Sequence, residues 1–289
     1  MSLNQFYNKI LLFLVVSISF GKILIPQGYS GNPEILQKNN KEKEYYGINN
    51  KGLEYIIKGP AEIKIFSKAA FPKKTTRQIK QFNFDIIVNN IKTTSSNFKK
   101  LDKKTFSISH PMHLYTYSGK DIIVIPSGEY IVKIQKNVMF GSPIVVRVSR
   151  SGRKSKNLTK EPISLVEYYE KKYTIKSINS PSLPEYYLLH DSNPLFLNKE
   201  DGLIELKLRG LHKTRTDSSN ILQMLLLKNG KYHCRYHIFS TPHPSKQINE
   251  ISETPSKLNK IYITSTHDDN YLLQVNKSKL LIKLDRLLR

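Results

Sequence analysis

The chain has 289 residues, and 46 Lys and Arg against 23 Asp and Glu give it a formal charge of +23. Such a surface draws anionic partners such as lipid headgroups, acidic glycans or extracellular nucleic acid. Lysine outnumbers arginine 37 to 9, and lysine lacks the planar fork that reads bases, so sequence-specific nucleic-acid binding is excluded. A single cysteine, Cys234, excludes an internal disulfide framework; it reads as a small buried apolar residue.

The first segment, 1–21, has the pattern of a signal peptide. Lys9 precedes the apolar run Ile10 to Phe20, and Ser19-Phe20-Gly21 offers a small-x-small cleavage site. The run is too short to span a bilayer as a helix, and no later stretch is long and apolar enough. The expectation is an exported protein, periplasmic or extracellular, of the cell envelope. Residues 22–43, with "NPEILQKNNKEKE", read as a polar lead-in.

Residues 44–150 read as a first β module. "YGINNKGLEYIIKG" (Tyr46 to Gly59) alternates apolar and polar residues, the mark of a strand with one buried face. Gly59-Pro60 is expected to end it. "FNFDIIVNNIKTTSSNF" (Phe82 to Phe98) reads as a hairpin about Asn89-Asn90. A polar turn then leads into a Tyr-bearing strand, "IPSGEYIVKI" (Ile125 to Ile134), and a basic strand, "PIVVRVSR" (Pro143 to Arg150).

Residues 151–193, holding Pro162, Pro181 and Pro184, read as a connector. Within it Ser164 and Glu167 form a capping-box pattern. The β-formers Tyr168, Tyr169, Tyr173, Thr174 and Ile175 favour a strand or an interdomain segment.

Residues 194–289 repeat the first order of elements. "FLNKEDGLIELKLRG" (Phe196 to Gly210) matches the opening strand, "ILQMLLLKNGKYHCRYHIF" (Ile221 to Phe239) the hairpin, now about Asn229-Gly230. "STHDDNYLLQV" (Ser265 to Val275) matches the Tyr strand and "KLLIKLDR" (Lys279 to Arg286) the basic one. The fold class is all-β, as two tandem antiparallel β-sandwich (jelly-roll-like) modules from an internal duplication. The competing reading is one large β protein whose strands share a pattern.

No catalytic motif is present: no nucleophile elbow, phosphate loop or zinc-protease helix. Glu200-Asp201 and Asp268-Asp269 fall in turns, where Asp caps the turn. His233 and His237 flank Cys234, but residues four apart on a strand stand too far apart to share an ion. Cys234, Tyr232, Tyr236 and Ile238 are expected to face the core, and His233, Arg235 and His237 solvent. His110 and His113 lie close around Pro111. No metal, cofactor or catalytic residue is assigned. In each pair Tyr45-Tyr46, Tyr168-Tyr169 and Tyr186-Tyr187, one ring is expected in the core.

The signal above background is clustered basic charge. Lys73, Lys74 and Arg77 fall in one loop, and Lys99, Lys100, Lys103 and Lys104 in a second. Arg150, Arg153, Lys154 and Lys156 belong to a third stretch without an acid. These are the candidate polyanion-binding residues, acting by charge rather than by sequence reading. The glycine-closed strand, hairpin and "SGEYIVKI" resemble exported bacterial sandwich modules that accompany secreted enzymes; no functional residue carries over from that resemblance. The function expected is non-catalytic: binding or scaffolding on an anionic glycan or lipid surface through basic loops. The alternative is a structural component assembling with envelope proteins, with a glycan hydrolase a distant third.

Overall fold

The computed structural model describes residues 21–76, 78–137, 141–151, 158–165, 169, 171–177, 184–198, 202–276 and 278–288, so the signal segment lies outside them. Among the described residues every regular element is a strand. The first half holds β1 (Lys22–Leu24), β2 (Glu34–Lys38), β3 (Lys41–Gly47), β4 (Leu53–Pro72), β5 (Ile79–Val88), β6 (Ile91–Asp102), β7 (Phe106–Ser107), β8 (His113–Thr116), β9 (Gly119–Lys136) and β10 (Ile144–Arg150). From there run β11 (Thr159–Ile163), β12 (Lys172–Ser177), β13 (Glu185–Leu189), β14 (Leu195–Asn198), β15 (Gly202–His212) and β16 (Asn220–Lys228). The chain closes with β17 (Lys231–Ser240), β18 (Lys246–Ile248), β19 (Thr254–Pro255), β20 (Asn259–Ser265), β21 (Asn270–Val275) and β22 (Leu280–Leu288).

The first half is organised by two long strands. β4 and β9 pair antiparallel over almost their whole length, from Leu53 opposite Ile134 to Ser67 opposite Gly119. Gly59-Pro60 does not end β4, contrary to the sequence reading. Proline has no N–H for the ladder, but the register shifts between Gly59 and Ala61, and pairing resumes beyond. Glycine is required there because a Cβ on Gly59 would lie 1.9 Å from the Pro126 carbonyl oxygen. The two strands turn this corner together. The first part of β4, the last part of β9 and β5 form one layer. The rest of β4 and β9 joins β10 in the facing layer. Phe82, Phe84, Ile57, Ile63, Ile123, Val132 and Val146 fill the space between.

The second half repeats these contacts. β15 pairs with β22 as β4 pairs with β10, and the β16–β17 hairpin corresponds to β5–β6. The turn asparagine is used identically in both copies. Asn89 accepts at Oδ1 the Ile131 amide (2.9 Å) and donates its own amide to the Ile131 carbonyl; Asn229 does both to Asn270, the Oδ1 bond being 2.8 Å. Both asparagines take positive φ, 45° and 49°, a conformation their short side chain tolerates. The class is therefore all-β with two tandem β modules. The core of the second lies between β14, β21, β16 and β17 on one side and β13, β22, β15 and β20 on the other.

The modules are joined more tightly than tandem order implies. β17 pairs in parallel with β9 through Arg235–Ile238 opposite Asp121–Val124, so a 14-stranded sheet runs from one half into the other. β9 is buried on both faces there: Ile123 and Ile125 enter the first core, Ile122 and Val124 the second. That explains why "DIIVI" does not alternate.

Three sequence readings are corrected. The polar lead-in includes β1, which pairs with β10, and the β2–β3 hairpin, whose charged exposed strands hid its turn. The connector contributes β11, β12 and β13 to the second sheet, where β11 and β13 pair with β22. Both rings of Tyr45-Tyr46 and of Tyr186-Tyr187 are buried, because these strands carry a packed layer on each face. Tyr168 lies outside the described residues.

Candidate functional site

A cavity of about 470 Å³ opens under the β2–β3 hairpin. Asn39 and Asn40 both take positive φ (50° and 57°), which closes a two-residue turn and brings Lys38 and Lys41 side by side. Lys38, Lys41, Lys43 and Lys68 line the cavity with Leu36, Tyr45, Asp102, Thr105, Tyr117 and Ser118. Four lysines thus face one carboxylate.

Asp102 is fully buried at the end of β6. It accepts hydrogen bonds from Lys38 Nζ (2.6 Å), Thr105 Oγ1 (2.8 Å) and the Lys104 amide (3.2 Å), with Lys68 Nζ at 3.8 Å. Burial pushes its pKa up, but these donors more than offset that and hold the carboxyl below the ordinary range. Lys68 is buried as well, donating to the Thr116 carbonyl at 2.8 Å. Burial lowers its pKa to about 8; Asp102 opposes that shift, and Lys38 and Lys43 add to it. The Lys38 ammonium also sits 4.9 Å from the Tyr117 ring centre, a ring 47% exposed at the mouth. An anion entering here meets pre-placed donors and one stackable ring. Beside the cavity, Glu34 accepts Tyr115 Oη (3.0 Å), Ser107 Oγ and His110 Nδ1 (2.9 Å), tying β2 to β7 and β8.

The candidates named from sequence do not form one patch. Lys103 and Lys104 lie in the turn between two lining residues, Asp102 and Thr105. Lys73 and Lys74 are exposed just past β4, where the Lys73 amide bonds the Met112 carbonyl. Lys100 is exposed, but Lys99 points the other way and lays its ammonium 4.5 Å from the Tyr232 ring centre, its pKa lowered by burial. Arg150 spends a guanidinium nitrogen on the Lys58 carbonyl, 2.8 Å away. Arg77, Arg153, Lys154 and Lys156 lie outside the described residues. Lys38, Lys41, Lys43, Lys68 and Asp102 were missed. The readable signal was "KNNK", a turn pair like Asn89-Asn90 set between lysines.

On β17, His233 is exposed as read, whereas Tyr232 and His237 depart from expectation. A register shift between Leu226 and Leu227 places a bulge at His233, so Tyr232 is exposed rather than in the core. Past the bulge Cys234, Tyr236 and Ile238 face the core as read, and burial pushes the Cys234 thiol up to about 11. His237 is fully buried, not solvent-facing. The first module covers it, and its Nε2 meets Asp121 Oδ1 at 2.9 Å. Arg235 reaches the Ser96 carbonyl at 3.0 Å, while Ser95 Oγ donates to Asp121 at 2.8 Å. His110 and His113 stack with ring centres 5.4 Å apart. Among the described residues no three His, Cys, Asp or Glu converge as a metal site, and no helix is long and apolar enough to cross a membrane.

No family model matches the chain, and no curated protein sequence matches it. Among solved structures it is similar to the tandem CBM51 modules of the family 98 glycoside hydrolase from Streptococcus pneumoniae, at 9% identity over 95% of each chain, with a TM-score of 0.22. It is similar also to the N-terminal tandem CBM22 domain of Xyn10C from Paenibacillus barcinonensis, at 6% identity over 93% of this chain and 99% of that one, TM-score 0.23. A third is the ANXUR1 extracellular domain from Arabidopsis thaliana, at 10% identity over 94% and 95%, TM-score 0.21.

Proposed function

We propose that the protein is an exported, non-catalytic binding module of the cell envelope that takes an anionic group of a glycan or lipid surface into the lysine-lined cavity. The observation that carries this is the cavity itself: four lysines around one buried carboxylate, in about 470 Å³, beside an exposed tyrosine. Lys103 and Lys104 extend its positive field at the rim. Lys73, Lys74, Arg77, Lys99, Lys100, Arg150, Arg153, Lys154 and Lys156 contribute long-range attraction.

The test is binding of the chain from Lys22 onward to arrayed anionic glycans and lipid vesicles at two salt concentrations. Salt-sensitive binding to one class, lost in Lys41→Met/Lys43→Met, supports the reading and identifies the partner type. Retention of that binding in the double variant rejects the cavity.

A structural role in an envelope assembly is the second reading, favoured by Phe106, Ile108 and Met112, exposed in one stretch of the first half. It requires oligomers that persist at high salt. A monomer by light scattering under those conditions rejects it.

A further inference from the structure

A second cavity, about 230 Å³, lies where the two halves meet. The first half contributes Lys64 from β4 and Lys120 from β9; the second contributes Lys228 from β16 and His233 from β17. It shares no lining residue with the lysine cavity under the β2–β3 hairpin.

Its polar groups are left in an incomplete arrangement. Lys120 Nζ stands 3.1 Å from His233 Nε2, an ammonium donating to a neutral imidazole. Neither has a carboxylate within ion-pair distance among the described residues. Burial holds both pKa values below the ordinary ranges; on Lys120 it is opposed by Cys234 and Glu62 and reinforced by Lys64, and on His233 it is reinforced by Lys120 and Lys228 and opposed by Asp269. Of the acids, Glu62 lines the cavity and accepts the Tyr262 amide at 3.0 Å, and Asp269 pairs with Lys228 at 2.7 Å. The aim of His233 is itself built. The β17 bulge takes it out of the strand alternation and turns it into the cavity, a re-aiming that bulges commonly perform. The remaining polar lining is the Glu62 carboxylate with Ser151, Tyr236, Tyr262, Thr264 and Tyr271.

We infer that this cavity is a second binding site, specific for a tetrahedral oxyanion, sulfate or phosphate, free or as the end group of a monoester. Lys120 and His233 hold it from opposite halves, and Lys64 and Lys228 supply flanking charge. An anion held by both nitrogens replaces the single Lys120–His233 hydrogen bond with two charge-assisted ones, and His233 takes up a proton. Because the ligands come from both modules, occupancy clamps the joint.

The experiment is NMR titration of the His233 ring protons in sulfate, phosphate and glucose 6-phosphate, against chloride at equal ionic strength. The expected result is saturable binding with the His233 pKa raised by one unit or more, and a melting temperature that rises with the same saturation. His233→Gln, a change at an exposed position, abolishes the saturable part of that rise; Lys120→Met does the same. Tighter binding of the sugar phosphate assigns a monoester, tighter binding of phosphate the free ion. A titration indistinguishable from chloride, or saturable stabilisation that survives in both variants, overturns the site. Neither outcome bears on the lysine cavity, which the Lys41→Met/Lys43→Met variant probes separately.

Discussion

Lys68 is the residue on which the lysine cavity turns. Its folded pKa, about 8, lies below the ordinary value of 10.5. Between those two pH values the unfolded chain holds a proton that the folded chain has lost, so stability rises with pH across that window. Below about 8 both states are protonated, and the folded chain bears the full cost of burying the charge. Anion binding runs the opposite way. Raising the pH from 7 to 9 is expected to weaken it roughly tenfold, the worth of one charge-assisted hydrogen bond. Isothermal titration at the two pH values checks this, and Lys68→Met should flatten the profile. Asp102→Asn should move stability and affinity in opposite directions. Removing one partner of a buried pair costs about 3 kcal/mol, read as a lower urea midpoint. The same change deletes the carboxylate that repels an incoming anion, so the affinity should increase.

At the level of elements, the hairpin asparagines are the parts of the repeat that work alike in both copies. Asn89→Ala and Asn229→Ala each lose a side-chain acceptor and force alanine into positive φ. Each should cost about 1–2 kcal/mol, a fall of about 2–4 °C in Tm per kcal/mol for a chain of this size, and the two losses should be similar. Gly59→Ala should cost more, about 3 kcal/mol, since its Cβ meets the Pro126 carbonyl inside a paired corner; a chemical melt measures it. The hairpins about Asn89-Asn90 and Asn229-Gly230 were legible because apolar runs flank them. The hairpin at Asn39-Asn40 was not, because "QKNNKEKE" carries almost no apolar residue to set a period, and the cavity stayed hidden with it. Lys68 was hidden differently: it breaks the alternation of β4 in "FSKAAF", and only the packed chain shows that Thr116 and Asp102 receive it.

For the whole molecule, the duplication was visible along the chain but the joint was not. Pairing partners for "DIIVI" and "RYHI" are 114 residues apart, Asp121 opposite Arg235, and no periodicity reports a contact across that distance. With β9 supplying apolar residues to both cores, neither half can close its core alone. Calorimetry is expected to show one transition whose calorimetric and van't Hoff enthalpies agree; two resolved peaks would mean that the halves fold independently. The same joint also decides how far the architecture can grow. β9 offers an edge to β17, and the matching edge in the second copy is that of β20. There the Tyr262 amide is capped by Glu62 of the first copy. A third unit docking by the same rule would have to displace Glu62 from that amide, so the contact between the two halves also guards the next edge.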